Sequence, residues 1–190
     1  MSSAIGFTTF DTAIGVCGVA WSDDGLVGVE LPTQDALRFT DRFRQRHPTS
    51  VEQVPSSGVA HGIAGIQALL GGLRADFAHT SIDLSGVPEF NKRVYGITRR
   101  VPPGSTTTYG AIAGELGDPS SARAVGHALG QNPLPLIIPC HRVLAAGGRP
   151  GGFSAAGGVV TKILLLRIEG ASAVDQLGLF EKGLPAQGVT

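Results

Sequence analysis

The chain has 190 residues, is 42% hydrophobic and carries no formal net charge at pH 7, which allows one large domain or two small ones with a substantial core. No apolar stretch reaches the ~18 residues needed to cross a membrane, and the N-terminus lacks the basic start and unbroken apolar run of a secretory leader. A soluble cytoplasmic protein is therefore expected (nuclear in a cell with a nucleus). Cys17 and Cys140, the only cysteines, could form one disulfide, but a reducing compartment and a reactive thiol argue against it; scattered His47, His61 and His79 show no ligand spacing, so no metal is expected.

The zero balance hides an asymmetry. Residues 1–90 hold five basic and ten acidic side chains, a net of −5, whereas residues 91–150 hold seven basic ones against Glu115 and Asp118, a net of +5. Such a division suits either a local polyanion-binding face or two halves joined by salt bridges.

Residues 4–10 and 13–31 read as a small β meander, with Ser22-Asp23-Asp24-Gly25 as a turn signal between two apolar runs. A helix is predicted over 35–46, carrying Leu37 and Phe43 inward and ended by Pro48. Helical spacing through Ile63, Ile66, Leu69 and Leu70 predicts another over 58–73, and 78–84 reads as a further strand. Residues 1–86 are thus expected to form an α/β domain, a small β-sheet with helices.

A second, mainly helical domain is expected over 87–171. Pro88 suits the first turn of a helix reaching residue 100, and the Pro-rich stretch 101–105 ends it. Thr107 or Thr108 can cap a short helix over 109–116. Gly117-Asp118-Pro119 makes a turn, and Ser120 or Ser121 can cap the next helix over 122–129. Two short helices joined by a tight turn are the helix-turn-helix pattern. A last helix is predicted over 160–169, and residues 172–190 read as a loose tail.

The sequence Pro139-Cys140-His141-Arg142-Val143 follows an apolar run, 134–138, broken by prolines, which reads as a buried strand or a buried turn. A cysteine at its end would lie at the floor of a site. Cysteine attacks as the thiolate, and a nearby imidazole can take its proton. The same residues also fit an inert core cysteine. Side chains of adjacent residues on extended backbone point opposite ways, so sequence adjacency does not itself place His141 against Cys140. Cys17, in a predicted strand with no basic neighbour, reads as core packing.

Arg123-Ala124-Val125-Gly126, Asn132-Pro133-Leu134-Pro135, Pro139 to Val143, and Lys162 running through three leucines to Glu169-Gly170 stand in fixed order. Together, over residues 88–171, they resemble the O6-alkylguanine-DNA alkyltransferase family. The resemblance implies a ribonuclease-H-like N-terminal fold and a winged-helix-like C-terminal domain. It implies repair by direct reversal, with the alkyl group of O6-alkylguanine, and also of O4-alkylthymine, moved irreversibly and once per molecule to Cys140. No cofactor is implied. The partner is double-stranded DNA carrying the lesion, met by a monomer.

Roles follow by resemblance at the matching positions. His141 would reach Cys140 through a bridging water and Glu169 would bond the other imidazole nitrogen. Tyr109 would bond the guanine ring and help supply its proton, and Asn132 would be a hinge. Arg123 would fill the space of a flipped nucleotide, for which the buried O6 position gives a steric reason. Small residues Ala122, Ala124 and Gly126 would let that helix approach the minor groove, with Thr107 also facing DNA. Val143, Ser154, Phe153 and Lys162 would form the base pocket. Arg142 reads as structural or phosphate-facing. This chain has Phe153 where many relatives have tyrosine, in a loop longer by about two residues than in some members. A lesion-recognition protein that removes nothing is the alternative, and a Cys-His hydrolase a third reading.

Overall fold

The computed structural model describes residues 6–33, 39 and 43–172. The predicted tail from residue 173, and most of the helix expected over 35–46, lie outside the described residues; 43–46 are helical. Three antiparallel strands, β1 (Gly6–Thr12), β2 (Gly15–Ser22) and β3 (Gly25–Glu30), form the expected meander, and β4 (Val51–Glu52) adds to β1 in parallel, giving the order β3-β2-β1-β4. Gly25 has φ +145, and a Cβ there would come 2.6 Å from the Ser81 backbone. The turn into β3 therefore needs glycine for both conformation and space.

The strand expected over 78–84 does not form. That segment meets β3 through one isolated bridge, Leu26 with Ile82, flanked by Leu26 N–H to Ser81 O at 3.0 Å and Asp83 N–H to Leu26 O at 2.8 Å. Local bonds turn the chain instead: Thr80 N–H reaches Phe77 O, and the Asp83 carboxylate accepts from Ser85 N–H and Ser22 Oγ. Short polar side chains competing for backbone groups favour turns over ladders.

Helix α1 (Ser57–Leu70) buries Val59, Ile66, Leu69 and Leu70 against the sheet. The helical half contains α2 (Glu89–Arg99), β5 (Thr107–Thr108), α3 (Tyr109–Glu115), α4 (Ala122–Gly130), β6 (Val143–Leu144) and α5 (Gly158–Ile168). β5 and β6 pair in parallel. Thr108 caps α3, its Oγ1 accepting from Ala111 N–H. The serines expected to cap α4 do not: Ser121 at its N-cap makes no side-chain cap bond, and Asp118 accepts from Ser120 N–H in the short 3-10 turn before it. The Asp118 carboxylate caps the 3-10 turn that leads into α4 instead.

Both halves share one continuous core. Val19, Trp21 and Ile66 from the first belong to the same buried cluster as Tyr95, Val125, Ile138 and Leu165 from the second. Polar bonds tie the halves as well: β3 donates Val29 N–H to Pro133 O at 2.9 Å, in the segment leading to Cys140. Part of the positive charge of residues 91–150 is engaged within the protein, while Arg93, Arg100 and Arg149 keep exposed side chains. Arg93 donates to Leu116 O, Arg99 to Phe77 O and Thr80 O, Lys92 and Arg100 pair with Glu89 and Glu115, and Arg142 is buried. Arg123, the second residue of α4, is exposed.

Tyr95 is 1% exposed and donates its hydroxyl to Ala128 O at 2.8 Å, binding α2 to α4. Tyr95→Phe should lower unfolding free energy by about 1–2 kcal/mol, the usual effect of losing one buried hydrogen bond. Urea denaturation checks this, with the slope unchanged.

Candidate active site

The segment 131–142 is built as consecutive tight turns. Ile138 N–H reaches Leu134 O at 2.8 Å. Leu136, fully buried, holds φ +74, a conformation that costs a side-chain-bearing residue of order 1 kcal/mol and persists only where packing enforces it. Pro139 (φ −79, ψ +63) is the centre of an inverse γ-turn closed by Cys140 N–H to Ile138 O at 2.7 Å. Proline suits that place because its φ is fixed and it has no N–H to lose. Of the two readings of 134–138, the buried turn is the one observed.

Cys140, His141 and Arg142 follow as one 3-10 turn, not the extended backbone assumed from adjacency. Cys140 is 7% exposed and opens into a cleft of about 640 Å³ between the two halves. Its walls include Val29 of β3, Asn91 of α2, Asn132, Pro135 and Ser154.

Asn132 binds the turn together. Its Nδ2 donates to Ile138 O at 2.8 Å and to Cys140 Sγ at 3.2 Å, and its Oδ1 accepts from Leu134 N–H at 3.0 Å. Burial pushes the Cys140 thiol up, while the Asn132 amide and the Lys162 ammonium act the other way. Cys17 differs: burial raises its thiol to about 11, with Thr12 Oγ1 at 3.8 Å acting the other way. It packs in the core, as expected.

His141 is fully buried. Its Nε2 lies 3.0 Å from Glu169 Oε1, which assigns the proton to Nε2 and leaves Nδ1 as an acceptor. Among the described residues, Nδ1 is the buried side-chain polar atom with no hydrogen-bond partner. Burial lowers the imidazole, against the pull of Glu169, so it rests neutral. For Glu169 burial pushes upward, but hydrogen bonds from His141 and Arg142, with the guanidinium charge, outweigh it and bring the carboxyl to about 2.

Lys162 is buried on α5, with Nζ donating to Val143 O at 2.6 Å and Gly152 O at 3.3 Å. Burial lowers it to about 8, leaving it a cation at neutral pH. Both Lys162 and Val143 are fully buried, so Lys162 braces β6 and the 151–154 loop from behind. Tyr109 stands half-buried before that loop, its hydroxyl donating to Gly152 O at 3.4 Å. Gly151 (φ +68) leaves room for it: a Cβ there would come 3.1 Å from the Tyr109 ring and hydroxyl. Phe153 is partly buried against the core and Ser154 is exposed. Ala122, Arg123, Ala124 and Gly126 lie along the start of α4, and Gly126 faces Tyr109 at 3.8 Å from a built Cβ. Thr107 is half-buried in β5.

A nucleophile, a neutral imidazole backed by a carboxylate, and a cleft over the sulfur are therefore assembled from distant positions. The family model described as the DNA-binding domain of 6-O-methylguanine DNA methyltransferase matches residues 89–171. A methylated-DNA–protein-cysteine methyltransferase of Methanothermobacter thermautotrophicus is 35% identical over 159 residues, covering 84% of this chain and 82% of the relative. The chain belongs to the methylated-DNA–protein-cysteine methyltransferase family. The crystal structure of Mycobacterium tuberculosis OGT in complex with DNA aligns with a TM-score of 0.71 at 30% identity, covering 91% of this chain and 99% of that one. A DNA base-flipping protein of Thermus thermophilus is 45% identical over 106 residues, 56% of this chain and 69% of that protein.

The reading from sequence missed two parts of this family member's site. It gave Arg142 as structural or phosphate-facing; the structural alternative fits, since the side chain is buried against Glu169, but that contact with the site's carboxylate went unread. It also had no wall from the N-terminal half, because Val29 meets Pro133 through a backbone bond that no side-chain pattern announces.

Glu169 makes stability depend on acid. Its folded value lies below the ordinary one of 4.5, so its contribution is full above pH 4.5 and is lost as pH falls toward 2. Glu169→Gln should remove a term on the order of 3 kcal/mol at pH 7. Its stability should also vary less between pH 5 and 2 than wild type, read from denaturation midpoints across that range.

Proposed function

We infer that this protein repairs DNA by direct reversal, moving the alkyl group of O6-alkylguanine to Cys140. The observation that carries the reading is the Cys140 thiol opening into the cleft while sharing one turn with a His141 that is bound to Glu169.

The step balances as follows. The thiol proton passes to His141 Nδ1 through a bridging water, for which the unpartnered buried nitrogen leaves a role. The thiolate pair forms the S–C bond, and the C–O6 bond breaks with its pair going to the guanine. A proton supplied with help from Tyr109, whose phenol is kept protonated by burial and then by the negative charge of a Cys140 thiolate, lets the base leave neutral. Glu169 stabilises the imidazolium. A thioether is not cleaved by water, so each molecule acts once. Lys162 and Asn132 favour the thiolate as it forms.

Helices α3 and α4 act as the helix-turn-helix, in a winged-helix-like arrangement, and the N-terminal half is ribonuclease-H-like. Double-stranded DNA is the partner, bound by a monomer. Arg123, exposed near the start of α4 with Ala122 and Ala124 beside it, enters the stack and holds the place of the flipped nucleotide. Gly126 and Thr107 belong to the same face, and Val143, Phe153 and Ser154 to the base pocket. O4-alkylthymine is a second substrate. The base-flipping relative keeps recognition without removal in view, but a thiol bonded by Asn132 and faced by Lys162 is a reactive arrangement that recognition alone does not need.

Incubation with duplex DNA containing one O6-methylguanine should add one methyl group to the Cys140 peptide, with at most one lesion lost per protein. Cys140→Ala should still bind the lesion and gain no mass; lesion loss by that variant would remove Cys140 from its role.

Arg123→Ala should slow transfer from duplex by about 100-fold or more, in keeping with an unstacking cost of a few kcal/mol, while transfer from free O6-benzylguanine stays within a few-fold of wild type. Equal losses on both substrates would exclude the finger role.

A further inference from the structure

Arg142 stands outside the chemistry described so far, yet it is 4% exposed and lies against the carboxylate that serves His141. Its Nε is 3.0 Å from Glu169 Oε2 and 3.2 Å from Oε1, and its Nη2 is 2.7 Å from Oε1. Its Nη1 donates to Val101 O at 2.5 Å. Oε1 thus receives both the imidazole N–H and the guanidinium, from consecutive residues of one turn. A rigid planar fork fixes the rotation of the carboxylate plane, which a point charge cannot do. The bond to Val101 anchors that fork to the loop after α2. Without Arg142, Glu169, at the C-cap of α5, would keep the His141 contact and a long bond from Gly104 N–H at 3.4 Å.

We propose that Arg142 is a positioning residue for alkyl transfer: its fork holds Glu169 ionised and oriented against His141, so that Glu169 steadies the imidazolium without taking its proton. This rests on the alkyl-transfer reading above. The charged and titratable groups facing His141 and Glu169 are Arg142 and Cys140 from the turn and Lys162 from α5. Arg142 and Lys162 both disfavour the imidazolium, and Glu169 favours it. Removing the guanidinium therefore raises both the imidazole and the carboxyl. The acid limb of the transfer rate, where His141 ceases to be a base, moves to higher pH.

The test is single-turnover methyl transfer from duplex O6-methylguanine between pH 4.5 and 9, followed by the mass of the Cys140 peptide. Arg142→Gln should lose on the order of 100-fold in rate at pH 7, the scale of an impaired general base. Its acid limb should rise by about one pH unit. Arg142→Lys should return the limb close to wild type with a reduced plateau. A Gln variant whose rate falls equally at every pH, in proportion to its folded fraction, overturns the proposal. Should that variant not fold, nitrogen-15 NMR of His141 in wild type and Arg142→Lys decides: the Nε2–H tautomer should dominate in the first and be mixed in the second, and identical spectra overturn the role. Wild type is the reference. No methyl on its Cys140 sinks the alkyl-transfer reading and this role with it, whereas normal wild-type transfer with unmoved variants sinks the Arg142 role alone.

Discussion

Burying a thiol, an imidazole, an ammonium, a guanidinium and a carboxylate together is the constraint on which the rest of this structure depends. Each ion taken from water costs several kcal/mol unless paired. The protein meets this by leaving Cys140 and His141 neutral at rest and concentrating the permanent charges where partners are fixed. Glu169 is opposed by Arg142 and His141, and Lys162 by two backbone carbonyls. In the mechanism we propose, attack on a saturated carbon then calls for one proton to move, onto a base whose positive charge already has its counter-ion waiting.

That arrangement explains the unusual backbone around it. A left-handed Leu136, an inverse γ-turn at Pro139 and a 3-10 turn at 140–142 present Cys140, His141 and Arg142 from three successive positions. An α-helix or a strand would carry those side chains apart. Asn132 replaces the backbone bonds that such a path forgoes, and the apolar run 134–138, almost wholly buried, anchors it in the common core. The N-terminal half contributes through Val29 and Pro133: its sheet edge forms one wall of the cleft and holds the entry to the active turn.

Much of this was legible in the residues. The meander, α1, α2, α3, α4 and α5 follow from apolar spacing and from Gly, Pro and Thr signals, and Thr108 caps α3 as a threonine before a helical run should. The motifs around Cys140 and Glu169 pointed to one family by their order. The failures share a cause. A strand over 78–84 has the right composition, but whether it forms depends on Asp83 finding Ser22, 61 residues away. The basic segment read as a face for polyanions, in keeping with the DNA-binding family match, but a charge count could not tell Arg123, exposed on α4, from Arg99 and Arg142, which are spent on carbonyls and a buried carboxylate.

By itself, then, the sequence determined the β meander and the helices α1 to α5, that Cys140 ends a buried apolar segment, and which side chains could act as nucleophile, base and carboxylate. These are matters of local periodicity and of residue chemistry, and both are written along the chain. The His141–Glu169 pairing was expected only through resemblance; tertiary structure decided that it runs through Nε2, that Arg142 shares the same oxygen, and that the N-terminal sheet closes the cleft. Contacts of that kind depend on directions set by several turns in succession, and a small change in any one of them would send those side chains elsewhere.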